Sequence, residues 1–322
     1  MKALKLKKIL KTLLMPVSLI INLILSKLGI FIVYRGGSAI GNHLTLTAIV
    51  KLINLQYQFK CIVLTTYPQI FLNNPRVIKV FKINKFVRSI LYFLNGDNIE
   101  QFSFPDDFIK YMQTSGSLAP LVKSESMHFK RKIDYSAIHC EIYFDQNEKN
   151  KLNKKFPYST KSFYLINPHS KTTYTPIKDW GFEKYQKVVN QFPNACWLQV
   201  GMLNDKLLDN VVDLRSQTNL RELFYLVSKS RFVLSNEGLI NHIASSFKEV
   251  KSIVISSGFA PIEHFEYENT IALSRNPQVD CAPCWLPEEC PLEKKYCTED
   301  ILVNDVVARI KEEVNNVHIE FS

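Results

Sequence analysis

The chain has 322 residues, 46% of them apolar and 22% charged, an ordinary globular balance that excludes wholesale disorder, collagen-like repeats and a small disulfide scaffold. At roughly 150 residues per domain, this length asks for about two domains. Lys and Arg outnumber Asp and Glu by 40 to 30, and the resulting charge of +10 favours anionic partners (phosphates, nucleic acid or acidic lipid) without choosing among them.

The surplus begins at once: Lys2, Lys5, Lys7, Lys8 and Lys11 precede any acid. A mostly apolar stretch runs from Thr12 to Ser26, interrupted by Pro16 and Asn22. It falls short of the ~20 residues that span a bilayer comfortably, and no other apolar run reaches that length, which excludes a polytopic membrane protein. Basic-then-apolar order also fits a secretory signal, but no small-x-small cleavage site follows before Ile30. Residues 1–28 therefore read as a basic amphipathic arm lying on an anionic membrane face. The alternative is a helix packed on the protein's own core.

Ile30 to Tyr34 is a continuous apolar run, as in a buried parallel strand, and it enters the loop Arg35-Gly-Gly-Ser-Ala-Ile-Gly41. Leu44, Ala48, Leu52 and Leu55 then mark a helix face, and Cys61 to Thr65 a second strand. A third strand is expected from Val77 to Ile83. The segment from Asn84 to Lys132 resists parsing, apart from turns at Asn95-Gly-Asp and Pro105-Asp-Asp. Gln146 to Lys155 is polar and Lys-rich and reads as a linker. This places an N-terminal domain over residues 29–150 and a C-terminal one over 151–322.

In the second half, strands are expected at Phe163–Asn167, Ala195–Val200, Arg231–Ser235 and Val250–Ser256. Between them lie helix stripes on Phe182, Tyr185, Val188, Val189 and Phe192, and on Ile240, Ile243, Ala244 and Phe247. Asn219-Leu-Arg-Glu222 has the form of a capping box. A last helix is expected from Thr298 as N-cap, with Val303, Val306, Val307, Ile310, Val314 and Val317 on its apolar face. Alternating β and α elements mean parallel sheets covered by helices, with ligands at the carboxyl ends of the strands. Two such domains suggest a central cleft.

Three strand-to-helix segments carry residues suited to binding. Arg35 to His43 is a glycine-containing loop, with Gly41, Asn42 and His43 at its end. Asn167 to Thr173 supplies Ser170, Lys171, Thr172 and Thr173, with Lys178 just beyond, a donor set suited to a diphosphate. Ser235 to Ala244 supplies Glu237 for sugar hydroxyls, Gly238 for close ligand approach, and His242 on the first or second helical turn. Gly201 ends the strand between the last two. Each segment taken alone is as readily a turn or a polar surface loop.

Together and in this order they resemble the family 9 glycosyltransferases, the bacterial ADP-heptose lipopolysaccharide heptosyltransferases. Ser38 to Ile49 (SAIGNHLTLTAI) is similar to their Ile-Gly-Asp segment. Asn74-Pro75, Ile166 to Val189 and Asn219 to Ser245 are similar to three further segments, the last being the most specific. The likeness runs from about Phe31 to the C-terminal helix. It implies a GT-B fold: two Rossmann-like domains, acceptor in the first, nucleotide-sugar donor in the second. It implies inverting, metal-independent transfer from an ADP-heptose-like donor. Ser170, Lys171, Thr172, Thr173 and Lys178 would take the diphosphate, and Glu237, Gly238 and His242 would line the donor site. At the position of the family's aspartate base stands Asn42, an amide that accepts no proton at neutral pH. His43 is adjacent, but about 100° around the helix.

Cys281, Cys284, Cys290 and Cys297 follow a C-x2-C-x5-C-x6-C spacing, read as a structural zinc or iron site on four thiolates. Similar segments in members of the resembled family hold a structural iron. The competing reading is reduced cysteines packed around Trp285. The function expected is transfer of a heptose-like sugar to a lipopolysaccharide-core glycolipid or, second, to a protein, peripherally on the cytoplasmic face of a bacterial inner membrane. A catalytically silent nucleotide-sugar-binding protein is the alternative that Asn42 raises. No nucleic-acid-binding signature is present.

Overall fold

The structure is a computed structural model that describes residues 2–103, 121–135, 138–160, 162–169, 175–275, 279–286 and 288–319. The chain divides into two compact units, the boundary falling between Phe144 and Asp145.

The first unit is built on four parallel strands: β1 (Ile30–Arg35), β2 (Lys60–Thr65), β3 (Val77–Lys82) and β4 (Ile99–Gln101), in the order β3-β2-β1-β4. Phe31, Val33, Tyr34, Cys61 and Val63 are fully buried, which is why these strands read as unbroken apolar runs. Helix α2 (Ile40–Tyr57) is buried from His43 to Ile53 on all sides, so its sequence is apolar beyond one stripe. It ends where Gln58 turns left-handed and donates its N–H to the Asn54 carbonyl at 2.9 Å.

The N-terminal segment is helix α1 (Lys2–Lys27). Its stretch Ile9–Lys27 is long and apolar enough to cross a membrane by length and composition, longer than the sequence reading allowed. One edge of α1 is nevertheless fastened to its own domain. It meets α3 (Lys85–Leu94), a helix hidden in the unparsed segment and capped by Asn84, whose side chain accepts the Val87 N–H at 2.8 Å. Ser18 Oγ donates to the Leu94 carbonyl at 2.9 Å and Asn22 Nδ2 to the same oxygen at 3.1 Å. Asn22 Oδ1 accepts the Asn98 N–H at 2.7 Å. Ile21 and Leu25 pack with Tyr34, Leu91 and Ile99. The turn read at Asn95-Gly-Asp makes room for this: a Cβ on Gly96 would lie 2.4 Å from Asn22 Nδ2. A further short helix, α4 (Leu121–Ser126), completes the described part of the unit.

The second unit opens with α5 (Gln146–Lys155), a helix where the composition suggested a linker. Asp145 caps it by accepting the Glu148 N–H at 2.8 Å, and only Leu152 of its ten residues is buried. A charged sequence thus becomes a docked helix through ion pairs: Arg221 grips Glu148 by two bonds of 2.8 and 2.7 Å. Six parallel strands follow: β5 (Tyr164–Asn167), β6 (Trp197–Gln199), β7 (Val212–Asp213), β8 (Phe232–Asn236), β9 (Lys251–Ser256) and β10 (Thr270–Ser274). Their order is β10-β9-β8-β5-β6-β7. This is a doubly wound sheet whose order reverses between β5 and β8. Helices α6 (Phe182–Asn190), α7 (Leu220–Lys229) and α8 (Leu239–Ala244) connect strands, and the capping box on α7 is present as read.

The last helix starts later than Thr298. Tyr296–Glu299 forms a separate turn, α9, and α10 runs Val303–Ile319. The break has a cause: the Asp300 carbonyl accepts from Arg275, and the Ile301 carbonyl accepts Trp180 Nε1 at 2.9 Å, so these carbonyls are taken by side chains from outside the helix.

The anchoring of α1 is testable at Gly96. Gly96→Ala displaces Asn22, and Asn22→Ala removes it. Each variant is expected to lose about 1–3 kcal/mol in denaturant unfolding, the cost of stranding the Asn98 N–H, since the Leu94 carbonyl keeps its bond from Ser18. Unchanged midpoints in both would show that α1 is not held there.

Candidate functional site

Where strand order reverses, the two neighbouring strands send their connections to opposite faces and leave a crevice at their carboxyl ends. In the first unit that point lies between β1 and β4. Arg35, the last residue of β1, donates from Nη1 to the Phe102 carbonyl just past β4 at 3.0 Å, with its guanidinium 5.5 Å from the Phe102 ring. The same nitrogen lies 2.6 Å from Glu125 Oε1. Glu125, on α4, is fully buried. Asn42 Nδ2 donates to its Oε1 at 2.5 Å and Thr45 Oγ1 to its Oε2 at 3.2 Å. Burial pushes the Glu125 carboxyl above the usual carboxylate range, against the pull of the Arg35 charge and of the Asn42 and Thr45 donors.

Asn42, the residue at the expected base position, therefore stands against a carboxylate from another element. Sequence reasoning missed Glu125: it lies in the unparsed segment, 83 positions from Asn42. Gly41, Asn42 and His43 occupy the first turn of α2. His43 turns into the core, with Nε2 3.1 Å from the Gly37 carbonyl and Nδ1 2.7 Å from Thr65 Oγ1. The carbonyl can only accept, so Nε2 carries the proton and Nδ1 accepts from Thr65. Burial, aided by Arg35, lowers this ring to about 4. Both its nitrogens are spent on holding the loop.

In the second unit the crevice lies between β5 and β8. Asn236 Nδ2 reaches the Pro168 carbonyl at 3.4 Å, bridging the two strand ends. Glu237 follows, buried, and its carboxylate is fully engaged: Oε2 accepts from Ser257 N at 2.7 Å and Ser256 Oγ at 3.1 Å, and Oε1 from Ser257 Oγ at 2.9 Å. Lys178 Nζ sits 3.6 Å from Oε1, over the rings of Phe259 at 4.7 Å and Phe265 at 5.4 Å. Glu237, which the sequence reading assigned to sugar hydroxyls, also helps to position Lys178. Gly238, at φ 150°, opens α8 in a backbone conformation that favours glycine. Gly201, at φ 153°, is also constrained: a Cβ there would lie 2.3 Å from Asp205 Oδ2.

His242 is buried, its Nδ1 2.6 Å from Tyr267 Oη. His264, unnoticed in the sequence, is buried close by. Burial first, then the Lys178 charge, lowers His242 to about 3 and His264 to about 4. Lys178 is thus the cation of a cluster that also holds the Glu237 carboxylate and two histidines. Ser170, Lys171, Thr172 and Thr173 lie outside the described residues.

The four cysteines are free thiols, and among the described residues no group of three or more His, Cys, Asp or Glu comes together to hold a metal ion. The structural zinc or iron read from the cysteine spacing therefore finds no support in the described residues. The first pair is pinned by backbone bonds from Cys284 N to Gly258 O (2.8 Å) and Trp285 N to Phe259 O (2.9 Å), whereas Cys297 belongs to α9. Cys281 is exposed while Cys297 is buried, its Sγ 3.3 Å from where a Gly258 Cβ would be. Burial, with the neighbouring cysteines adding to it, raises the Cys284 and Cys297 thiols above the usual thiol range.

No protein-family model and no curated protein sequence matches the chain. Solved structures do. A family 9 glycosyl transferase from Veillonella parvula superposes with a TM-score of 0.66 at 10% identity, covering 89% of this chain and 97% of that one. E. coli ADP-heptose lps heptosyltransferase II gives 0.62 at 13%, covering 90% and 99%. The iron-containing dodecameric glycosyltransferase TibC of E. coli gives 0.59 at 10%, covering 91% and 77%. The chain shares their fold, the GT-B fold expected from the resemblance.

The neutral histidines set a pH dependence. Unfolded histidines take a proton near pH 6.5, whereas His242 and His264 take theirs only at about 3 and about 4. Their contribution is present above about pH 6.5 and is lost as the pH falls below it, at about 1.4 kcal/mol per pH unit for each ring. Ring NMR should show neither titrating between about pH 7 and 5. His242→Gln should flatten the acid limb of stability. A ring titrating near 6.5 would contradict this placement.

Proposed function

We propose that the chain is a glycosyltransferase that moves a sugar from a nucleoside-diphosphate donor to a cell-envelope glycolipid. The observation that carries the reading is Lys178, a cation held by Glu237 at the switch point of a sheet that shares its fold with known sugar transferases. Some of those structures contain ADP or an ADP-heptose, which supports an ADP-heptose-like donor here. The acceptor that fits best is a lipopolysaccharide-core glycolipid, reached from the cytoplasmic face of a bacterial inner membrane.

In the proposed reaction the acceptor hydroxyl oxygen attacks the anomeric carbon and the carbon–oxygen bond to the diphosphate breaks, inverting the centre. Lys178 stabilises the negative charge that gathers on the leaving nucleoside diphosphate. Ser170, Lys171, Thr172 and Thr173 are assigned to the same diphosphate. The hydroxyl proton goes to Glu125, the carboxylate the fold brings to Asn42, while Asn42 orients the hydroxyl. The reaction needs no metal, and none of these roles falls on the cysteines.

A second reading has its own observation: Glu125 is fully buried and already takes donors from Arg35, Asn42 and Thr45. A carboxylate so engaged suits a silent donor-binding protein. Incubating the purified chain with ADP-heptose and a heptose-accepting glycolipid separates the two. Turnover, read as ADP release and a mass increment on the acceptor, is expected. Donor binding without turnover supports the silent protein, and neither binding nor turnover overturns both.

Glu125→Gln should lower kcat roughly a hundred- to ten-thousandfold with donor affinity retained. Lys178→Ala should weaken donor affinity roughly ten- to a hundredfold, the worth of one or two charge-assisted hydrogen bonds, as read by calorimetry. Unchanged affinity in folded Lys178→Ala removes that residue from the donor site.

A further inference from the structure

The helical face of the first unit leaves a large apolar surface uncovered. On α1, the side opposite Ser18 and Asn22 carries Ile9, Leu13, Ile20 and Ile24 at three- to four-residue multiples, each at least half exposed, Leu13 by 69%. On α3, which packs beside α1, Phe86 is 73% exposed and Ile90 and Tyr92 are exposed too. The sheet adds a third contributor. Tyr34 pairs with Leu64 and Leu64 with Phe81, so exposed Phe81 of β3 lies on the sheet face that α1 and α3 cover. Exposed apolar groups on this scale mark a binding face.

Charge identifies the occupant. α1, β3 and α3 hold ten Lys and Arg and no Asp or Glu, a number equal to the whole chain's surplus. Lys11, Lys79, Lys85 and Arg88 are exposed, and Lys11 Nζ lies 5.4 Å from the Tyr92 ring centroid, joining the two helices at their polar edge. An apolar surface rimmed by uncompensated cations complements an anionic lipid bilayer.

We propose that α1 and α3 together form one lipid-facing surface that seats the first unit on an anionic bilayer, with α1 lying in the membrane plane. Although α1 is long enough to span, Ser18 and Asn22 sit in the middle of its apolar stretch and are bonded to Leu94 and Asn98. Spanning would tear out these bonds and carry the freed polar groups into hydrocarbon, at several kcal/mol each. In the plane, the pinned edge keeps its partners and the Leu13–Ile20 face meets lipid. This surface is independent of the sugar-transfer reading.

Co-sedimentation of the full-length chain with vesicles tests it. Binding to vesicles containing phosphatidylglycerol and weak binding to pure phosphatidylcholine are expected. Lys11, Lys85 and Arg88 replaced by Gln should weaken anionic binding roughly a hundredfold. Leu13→Glu with Ile20→Glu should abolish binding, and Phe86→Ser should weaken it, with circular dichroism and melting temperature unchanged. Equal binding to both vesicle types, or none by the folded chain, overturns the proposal. An unaffected Phe86→Ser overturns the part given to α3. Resistance of bound protein to alkaline carbonate extraction overturns the in-plane placement in favour of a span.

Discussion

Both sheets are wholly parallel, and parallel pairing sets every other property of this molecule. Strands buried on both faces must be apolar throughout, so polar chemistry is displaced to the strand ends. Where the strand order reverses, the backbone at those ends is left without a covering connection. The first unit has such a point between β1 and β4 and the second between β5 and β8. Each holds a buried carboxylate facing a cation: Glu125 with Arg35, and Glu237 with Lys178.

Burying a carboxylate costs several kcal/mol unless donors replace its water. The two units meet this cost differently. Glu237 takes three donors from Ser256 and Ser257, local groups on the strand end beside it, so its fold does not depend on Lys178 alone. Glu125 takes donors from β1 and from the first two turns of α2, all distant in sequence. It therefore cross-links α4 to the glycine loop, and Asn42 is at once part of the proposed reaction centre and part of that link.

Much of the fold was legible, because continuous apolar runs and helix stripes record burial directly. Every strand expected in the second half is present, as is the capping box at Asn219. What failed was decided by tertiary partners. The Gln146–Lys155 helix is polar almost all round and forms because Asp145 caps it and Arg221 holds Glu148. The start of the last helix is set by Trp180 and Arg275 seizing carbonyls from far away. In the site, Lys178, Glu237 and His242 could be named from their position after strands. Their roles could not: whether a glutamate accepts from a ligand or from Ser257 depends on a neighbour 20 residues on. Glu125 left no local signal at all, and four cysteines in seventeen positions gave a strong one, although among the described residues no group of three or more is placed to hold a metal ion.

The 3.6 Å pair of Lys178 and Glu237 bears on how a transferase would empty itself. On the proposed reading, a diphosphate arriving at Lys178 would meet a cation already shared with a carboxylate that three donors hold in place. Part of the attraction is cancelled before the ligand binds, and it stays cancelled after the sugar has left. A nucleoside diphosphate product would then be retained less tightly than a lone lysine would retain it. In enzymes whose turnover is limited by product departure, such a tethered counter-charge shortens the residence of the spent nucleotide without weakening the cation's aim.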